Sequence, residues 1–83
     1  MRLHVRYFAS IREALGPSES LEAPADSTVA AVRALLQSRS SAHAQALQSG
    51  RAVRCAVNQR LCEEDTVVGD GAELAFFPPV TGG

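Results

Sequence analysis

The sequence has 83 residues, 46% of them hydrophobic and 20% charged, and its eight basic and nine acidic side chains give a formal net charge of −1. That is enough chain for one domain, with no space for a second core and little for a deep internal active site. The charge supplies no general field for nucleic acid, no apolar run approaches the roughly 18–20 residues of a membrane span, and Met1-Arg2-Leu3-His4 lacks a signal-peptide core, so a cytoplasmic protein with no nucleic-acid or membrane partner is expected.

Leu3, Val5 and Tyr7 alternate with His4 and Arg6, the period-two pattern of a half-buried strand with His4 on its solvent side. Ser10-Ile11-Arg12-Glu13 fits a capping box, and Gly16-Pro17 closes a short helix behind it. A brief strand around residues 20–23 stops at Pro24. Asp26-Ser27-Thr28 then offers cap residues for the main helix. In that helix Val29, Val32, Leu35 and Leu36 are expected to form the apolar stripe, with Arg33 and Gln37 on the wet face. Residues 38–41 interrupt it, and residues 42–48 read as a second, shorter helical piece with His43 on the surface. Gly50 ends this section.

Val53, Cys55 and Val57 alternate with Arg54 and Ala56, a third strand, which Asn58-Gln59 turns into a short fourth strand at 60–62. With a two-residue turn there, Cys55 and Cys62 fall directly opposite each other. A cross-strand disulfide is geometrically conceivable, but a reducing cytosol argues against it, and free thiols in or near the core are expected. Two thiols without a nearby histidine cannot complete a zinc or iron–sulfur site. Glu63-Glu64-Asp65 reads as a solvated acidic turn rather than a metal site, because consecutive carboxylates point in different directions. Val67-Val68 packs a loop down, Gly69-Asp70-Gly71 is a tight turn, and residues 72–77 form the last strand.

Parity in that strand separates Leu74 and Phe76 from Glu73, Ala75 and Phe77. Glu73 needs water, so Leu74 and Phe76 face the core and Phe77 stands on the open face, where a rigid aromatic suits a partner surface. Alternation puts Arg6 and Arg54 on the open face too, so Arg6, Arg54 and Phe77 form the expected docking surface. The order strand, strand, helix, strand, strand, strand predicts an α+β protein of β-grasp type. Its mixed five-stranded sheet would pack on one main helix, with short extra helices.

Residues 1–77 are expected to be the folded body and residues 78–83 a flexible reactive tail. Pro78 and Pro79 have no N–H for a sheet and fix φ near −65°, so the strand must stop and the chain leave as an extended thread. At about 3.3–3.6 Å per residue, the segment from Pro78 to Gly83 reaches roughly 20 Å. Gly82 and Gly83 lack a Cβ and can enter a channel too narrow for any other residue. The thread has the shape of a reactive end made for insertion into another protein's active site. Its carboxylate, with an ordinary pKa of about 3.3–3.7, is a poor electrophile that needs activation. The chain has no phosphate-binding loop and no Cys–His pair to supply it. All eight basic residues are arginine, so an activated glycine would meet no lysine on a sister molecule.

Over its whole length the chain resembles the small, sulfur-carrier subunits of molybdopterin synthase, a ubiquitin-like β-grasp family. The resemblance lies in the Arg12-Glu13 helix, the Thr28-Val29 helix start, Ala56-Val57-Asn58-Gln59, Asp70-Gly71 and, most specifically, Phe76-Phe77-Pro78-Pro79-Val80-Thr81-Gly82-Gly83. Residues 39–51 carry little of it. The resemblance implies that a ubiquitin-activating-like adenylating enzyme uses ATP, with Mg, to turn the Gly83 carboxylate into an acyl-adenylate. A sulfur donor protein would then replace AMP, leaving a thiocarboxylate. The tail would thread into the large catalytic subunit, in a heterotetramer of two small and two large subunits, and pass its sulfur to cyclic pyranopterin monophosphate. Two deliveries build the dithiolene that later holds molybdenum. Gly83 then carries the reaction, Gly82, Thr81 and Val80 position it, Pro79 and Pro78 hold the thread off the sheet, and Phe77 docks. No metal or cofactor is implied for this chain itself. Three other readings stay open: a sulfur carrier for thiazole or cysteine synthesis, a ubiquitin-like modifier joined to target lysines, and a β-grasp binding module whose Gly-Gly is incidental.

Overall fold

The computed structural model describes residues 1–48 and 52–79. Among them the order is β1 (Arg2–Tyr7), α1 (Ala9–Leu15), β2 (Ser18–Glu22), α2 (Val29–Gln37), α3 (Ser41–Ala46), β3 (Arg54–Val57), β4 (Arg60–Cys62) and β5 (Glu73–Phe77). The strands form one sheet in the order β2-β1-β5-β3-β4. β1 and β5 lie parallel at its centre and the other neighbours are antiparallel. This is the mixed β-grasp sheet that the element order predicts. Alternation in β1 is complete: Leu3, Val5 and Tyr7 are buried while Arg2, His4 and Arg6 are exposed. Leu74 and Phe76 of β5 join them beneath α2, whose Val29, Val32 and Leu36 fill the other side of the core.

α2 starts where the cap residues predict. Thr28 Oγ1 accepts from the Ala31 N–H at 3.2 Å. The loop before β5 satisfies two more N–H groups of the first turn, with the Thr66 carbonyl accepting from Val29 and the Glu64 carbonyl from Ala30. The face of the helix differs from the expectation at two positions. Arg33 is buried at 5% exposure, and Leu35 is 36% exposed. The reason is angular: at 3.6 residues per turn, position 33 lies about 40° from Val29, inside the stripe, whereas position 35 lies about 240° away. The guanidinium has replaced water with protein acceptors. Arg33 Nε donates to the Leu47 carbonyl at 2.8 Å, and its terminal nitrogens meet the Gln48 carbonyl and the Glu64 carboxylate. Gln37 also turns inward, donating to the Leu47 carbonyl.

α1 departs from its expected start. Its N-cap is Phe8, which makes no side-chain cap bond, so the Ser10–Glu13 capping box does not form. β1 runs on to an extended Phe8, whose carbonyl already accepts from the Arg12 N–H at 3.3 Å, so the helix has begun before Ser10. The hairpin is as expected: Asn58 and Gln59 have φ of 51° and 69°, both positive as a two-residue primed turn requires. Asn58 also fastens the turn to β5, its Oδ1 accepting from the Glu73 N–H at 3.0 Å. Gly71, at φ 78°, closes the turn into β5 and donates its N–H to the Arg2 carbonyl.

His43 is not a free surface residue. Its Nε2 lies 2.6 Å from Glu19 Oε2, which also accepts from the Tyr7 hydroxyl at 2.6 Å, and Arg39 pairs with the other carboxylate oxygen. Ser40, the N-cap of α3, sits 2.7 Å from His43 Nδ1. Glu19 therefore joins β1, β2, α3 and the α2–α3 link. Burial pushes its carboxyl up, but the hydrogen bonds from Tyr7, His43 and Arg39 together outweigh burial and hold it below the ordinary glutamate value. A carboxyl depressed in the folded state contributes stability that is present above its unfolded pKa and lost as pH falls through the folded one. Melting temperature should therefore drop as pH falls below about 4.3. Glu19→Gln should lower it at pH 7 and shrink that acid-side drop, as thermal melts from pH 7 to 3 will show.

Candidate functional site

One face of the sheet carries no helix-packed core, and its side chains follow from register alone. Ala56 of β3 pairs with Leu61 of β4 on one side and Ala75 of β5 on the other, and Ala75 pairs with Arg6 of β1. One row thus crosses four strands. In the next row Arg54 stands directly opposite Phe77. Arg6, Arg54 and Phe77 share this face as parity predicts.

Small side chains set the floor and large ones the walls. Ala56 and Ala75 form the base of a shallow concavity lined also by Arg6, Phe8, Gln59, Glu73 and Phe77. Phe8 meets Phe77 edge to face, with ring centroids 6.5 Å apart and planes at 86°. The Arg6 guanidinium lies 5.2 Å from the Phe8 ring centroid, within cation–π range, and 3.6 Å from the Glu73 carboxylate. Arg54 is exposed beside Phe77 but is not part of the concavity's lining. Leu61 continues the apolar surface at the margin, 65% exposed.

Phe8 and Leu61 are absent from the expected docking set, yet both had a signal. Phe8 has the parity of His4 and Arg6, so extending β1 by one residue places an aromatic on the open face; the capping-box pattern hid this by starting the helix at Ser10. Leu61 follows from the two-residue turn, which sets it opposite Ala56.

β5 ends at Phe77, and Pro78 and Pro79 follow outside any strand. Both prolines are half-buried, and Pro78 lines a small hollow with Ser10, Ile11, Ala46, Ala52 and Val53. Pro78 therefore packs against the body as well as breaking the sheet. Val80, Thr81, Gly82 and Gly83, assigned to the reactive thread, lie outside the described residues.

Cys55 offers little competition as a first-reacting group. Both cysteines are free; Cys55 is 3% exposed and its thiol is pushed up to about 12, first by burial and then by the hydrogen bond and charge of Cys62. Among the described residues no cluster of three or more His, Cys, Asp or Glu could hold a metal ion, and the Glu64 carboxylate is engaged by Arg33. No helix among them is long and apolar enough to cross a membrane.

A β-grasp body whose last strand carries an aromatic on the open face and then runs into two prolines defines a ubiquitin-like protein. The sequence profile of the ThiS family matches residues 5–83. The chain is 44% identical to the molybdopterin synthase sulfur carrier subunit of Escherichia coli strain K12, covering 98% of this chain and 99% of that one. Two solved structures share the fold across nearly their full lengths. Subunits 1 and 2 of molybdopterin-converting factor from Helicobacter pylori were solved as a complex, and the matching chain has TM-score 0.68 and 27% identity, with 100% of each chain covered. Small archaeal modifier protein 1 of Haloferax volcanii matches with TM-score 0.73 and 27% identity, over 95% of this chain and 98% of that one. The chain belongs to the ThiS family and to the molybdopterin synthase sulfur carrier subunits.

Proposed function

We propose that this protein carries sulfur on the carboxyl group of Gly83 and delivers it inside a large catalytic subunit to cyclic pyranopterin monophosphate. The observation that carries the proposal is continuity: β5 places Phe77 on the open, apolar face, and the very next residues begin the thread that ends in Gly82-Gly83. Docking surface and reactive end are consecutive in the chain. The Helicobacter pylori complex of the two converting-factor subunits supports a large partner subunit for this chain.

The chemistry requires two partners besides the large subunit. In the active site of an adenylating enzyme, which binds ATP and Mg, the Gly83 carboxylate attacks the α-phosphate and expels pyrophosphate. Sulfur at the oxidation level of hydrosulfide, supplied by a donor protein, then displaces AMP. The resulting thiocarboxylate is a nucleophile. It forms a carbon–sulfur bond to the pterin precursor as a carbon–oxygen bond at the attacked carbon breaks and the oxygen substituent leaves, and hydrolysis of the acyl–sulfur bond returns the carboxylate. Residues 1–77 act, in the cytoplasm, as the body that docks. Residues 78–83 act as the tail, with Val80, Thr81 and Gly82 positioning Gly83. Mass spectrometry after incubation with adenylating enzyme, ATP and sulfur donor tests this: Gly83 should gain the mass of one oxygen exchanged for sulfur. The Cys55→Ser, Cys62→Ser double variant should gain it equally; sulfur located on a cysteine would overturn the proposal.

The open face is the proposed surface for both large partners. Phe77→Ala removes the aromatic wall nearest the thread, and a central aromatic anchor is worth 2 kcal/mol or more, about 30-fold in Kd. The edge-to-face pair with Phe8 contributes about 1 kcal/mol to the fold, so melting should fall by only a few degrees. Titration calorimetry against the large subunit, beside a thermal melt, separates the two. A large loss of stability with affinity unchanged would place Phe77 in the core and not at the interface.

The similarity to a small archaeal modifier protein favours a second reading, attachment through Gly83 to lysines of other proteins. It predicts a ladder of adducts that resists reductant in cells. The higher identity to the sulfur carrier subunit, 44% against 27%, favours sulfur transfer.

A further inference from the structure

We propose that Cys55 and Cys62 are a reversible dithiol–disulfide site, closed by small two-electron oxidants of the hydroperoxide class and independent of the chemistry at Gly83. The primed turn at Asn58 and Gln59 sets the register that pairs Cys55 with Cys62, and their sulfurs lie 3.7 Å apart. Directly opposed residues of an antiparallel ladder have Cα atoms about 4.5–5.5 Å apart, inside the range of about 4.4–6.8 Å that disulfides span. Reaching the bond length of about 2.05 Å needs side-chain rotation and a small shift of one strand. β4 can make that shift, because it is a three-residue strand at the sheet edge with a neighbour on one side only.

Access to the pair is asymmetric. Cys55 is 3% exposed and packs into the core, whereas Cys62 is half-buried at its margin. Cys62 meets the oxidant first: its sulfur attacks one peroxide oxygen, the O–O bond breaks, the departing hydroxide takes the Cys62 proton, and sulfenic acid and one water form. The Cys55 sulfur then attacks the Cys62 sulfur and displaces hydroxide, which takes the Cys55 proton and leaves as the second water. The two thiols lose two protons and two electrons, and the peroxide is reduced to two waters. Burial keeps Cys55 protonated until that second step, so it acts as the resolving thiol and not the first to react. The bond ties β4 to β3 beside Leu61, which β4 presents on the open face opposite Ala56.

The test uses the full chain, reduced and desalted, then treated with equimolar hydrogen peroxide and read by intact mass and by iodoacetamide labelling in denaturant. The expected product is a monomer lighter by two hydrogens, with both cysteines lost to labelling together and both restored by dithiothreitol. Cys55→Ser should instead let Cys62 gain two or three oxygens irreversibly, and Cys62→Ser should leave Cys55 reduced. The wild-type readouts stand without the variants should either fold poorly. The proposal is overturned if wild-type Cys62 gains oxygen while Cys55 still labels, if disulfide-linked dimers are the only oxidised product, or if both thiols survive the peroxide.

Discussion

Deletion of Gly83 is expected to cut dithiolene formation by about 100-fold or more while leaving a folded protein that still binds the large subunit. The shortened chain ends in a carboxylate on Gly82, chemically the same group but set back by about 3.5 Å. Displacement of a reacting atom by even about 1 Å can cost on the order of 100-fold in rate, and here the whole terminus would fall short of the pterin. Stability should hardly change. Among the described residues the core cluster runs from Leu3 to Phe76. Affinity should be retained as well, because the Phe8, Leu61 and Phe77 surface is intact. Single-turnover dithiolene assays, a thermal melt and a binding titration on one preparation separate the three effects. Full dithiolene formation by the shortened chain would show that Gly83 is not the reacting residue. A fall in both affinity and melting temperature would instead mean that the tail supports the fold.

What could be read in advance divides along a physical line. Strand parity is legible because a period of two leaves only two choices, and one charged residue such as Glu73 decides between them; Leu74, Phe76 and Phe77 all follow. The hairpin is legible because Asn58 tolerates positive φ, and its two-residue length then dictates the Cys55–Cys62 and Ala56–Leu61 pairs. Helix faces are harder, since residue chemistry and helical angle can disagree. Leu35 is apolar at an exposed angle, and Arg33 is charged at a buried one; the angle prevails because the carbonyls and carboxylate around Arg33 replace its water. His43 illustrates a different limit. Its partner Glu19 is 24 residues away in the chain, and only the folded arrangement, in which α3 packs against α1 and α2, brings them to 2.6 Å. The open face is thus half visible in the sequence. Phe77, Arg6 and Arg54 follow from parity, whereas the aromatic pairing with Phe8 and the alanine floor need the register of the assembled sheet.

Arg33→Ala should be the most destabilising substitution of any charged residue in the body, costing about 3 kcal/mol. The α3 helix ends at Ala46, and the carbonyls that follow it, those of Leu47 and Gln48, point at the Arg33 guanidinium. A cation at a helix C-terminus satisfies carbonyls that have no partner within the helix and meets the negative end of its dipole. Alanine removes these donors and opens a cavity beside fully buried Leu47. Gln37 still serves the Leu47 carbonyl, and the Glu64 side chain is 40% exposed, so water can take over part of what is lost. That places the cost near the lower end of what breaking a buried pair entails, and for a domain of this size it corresponds to a fall in Tm of about 10–20 °C. Arg33→Met keeps much of the alkyl stem and loses only the polar contacts. If the carbonyls are what the guanidinium holds in place, Met should recover little of the loss, and Glu64→Gln, which leaves those carbonyls satisfied, should cost 1 kcal/mol or so. Thermal and urea melts of the three variants decide the matter. Near-wild-type stability of Arg33→Met would assign the effect to packing of the stem, and a loss in Glu64→Gln equal to that of Arg33→Ala would assign it to the ion pair.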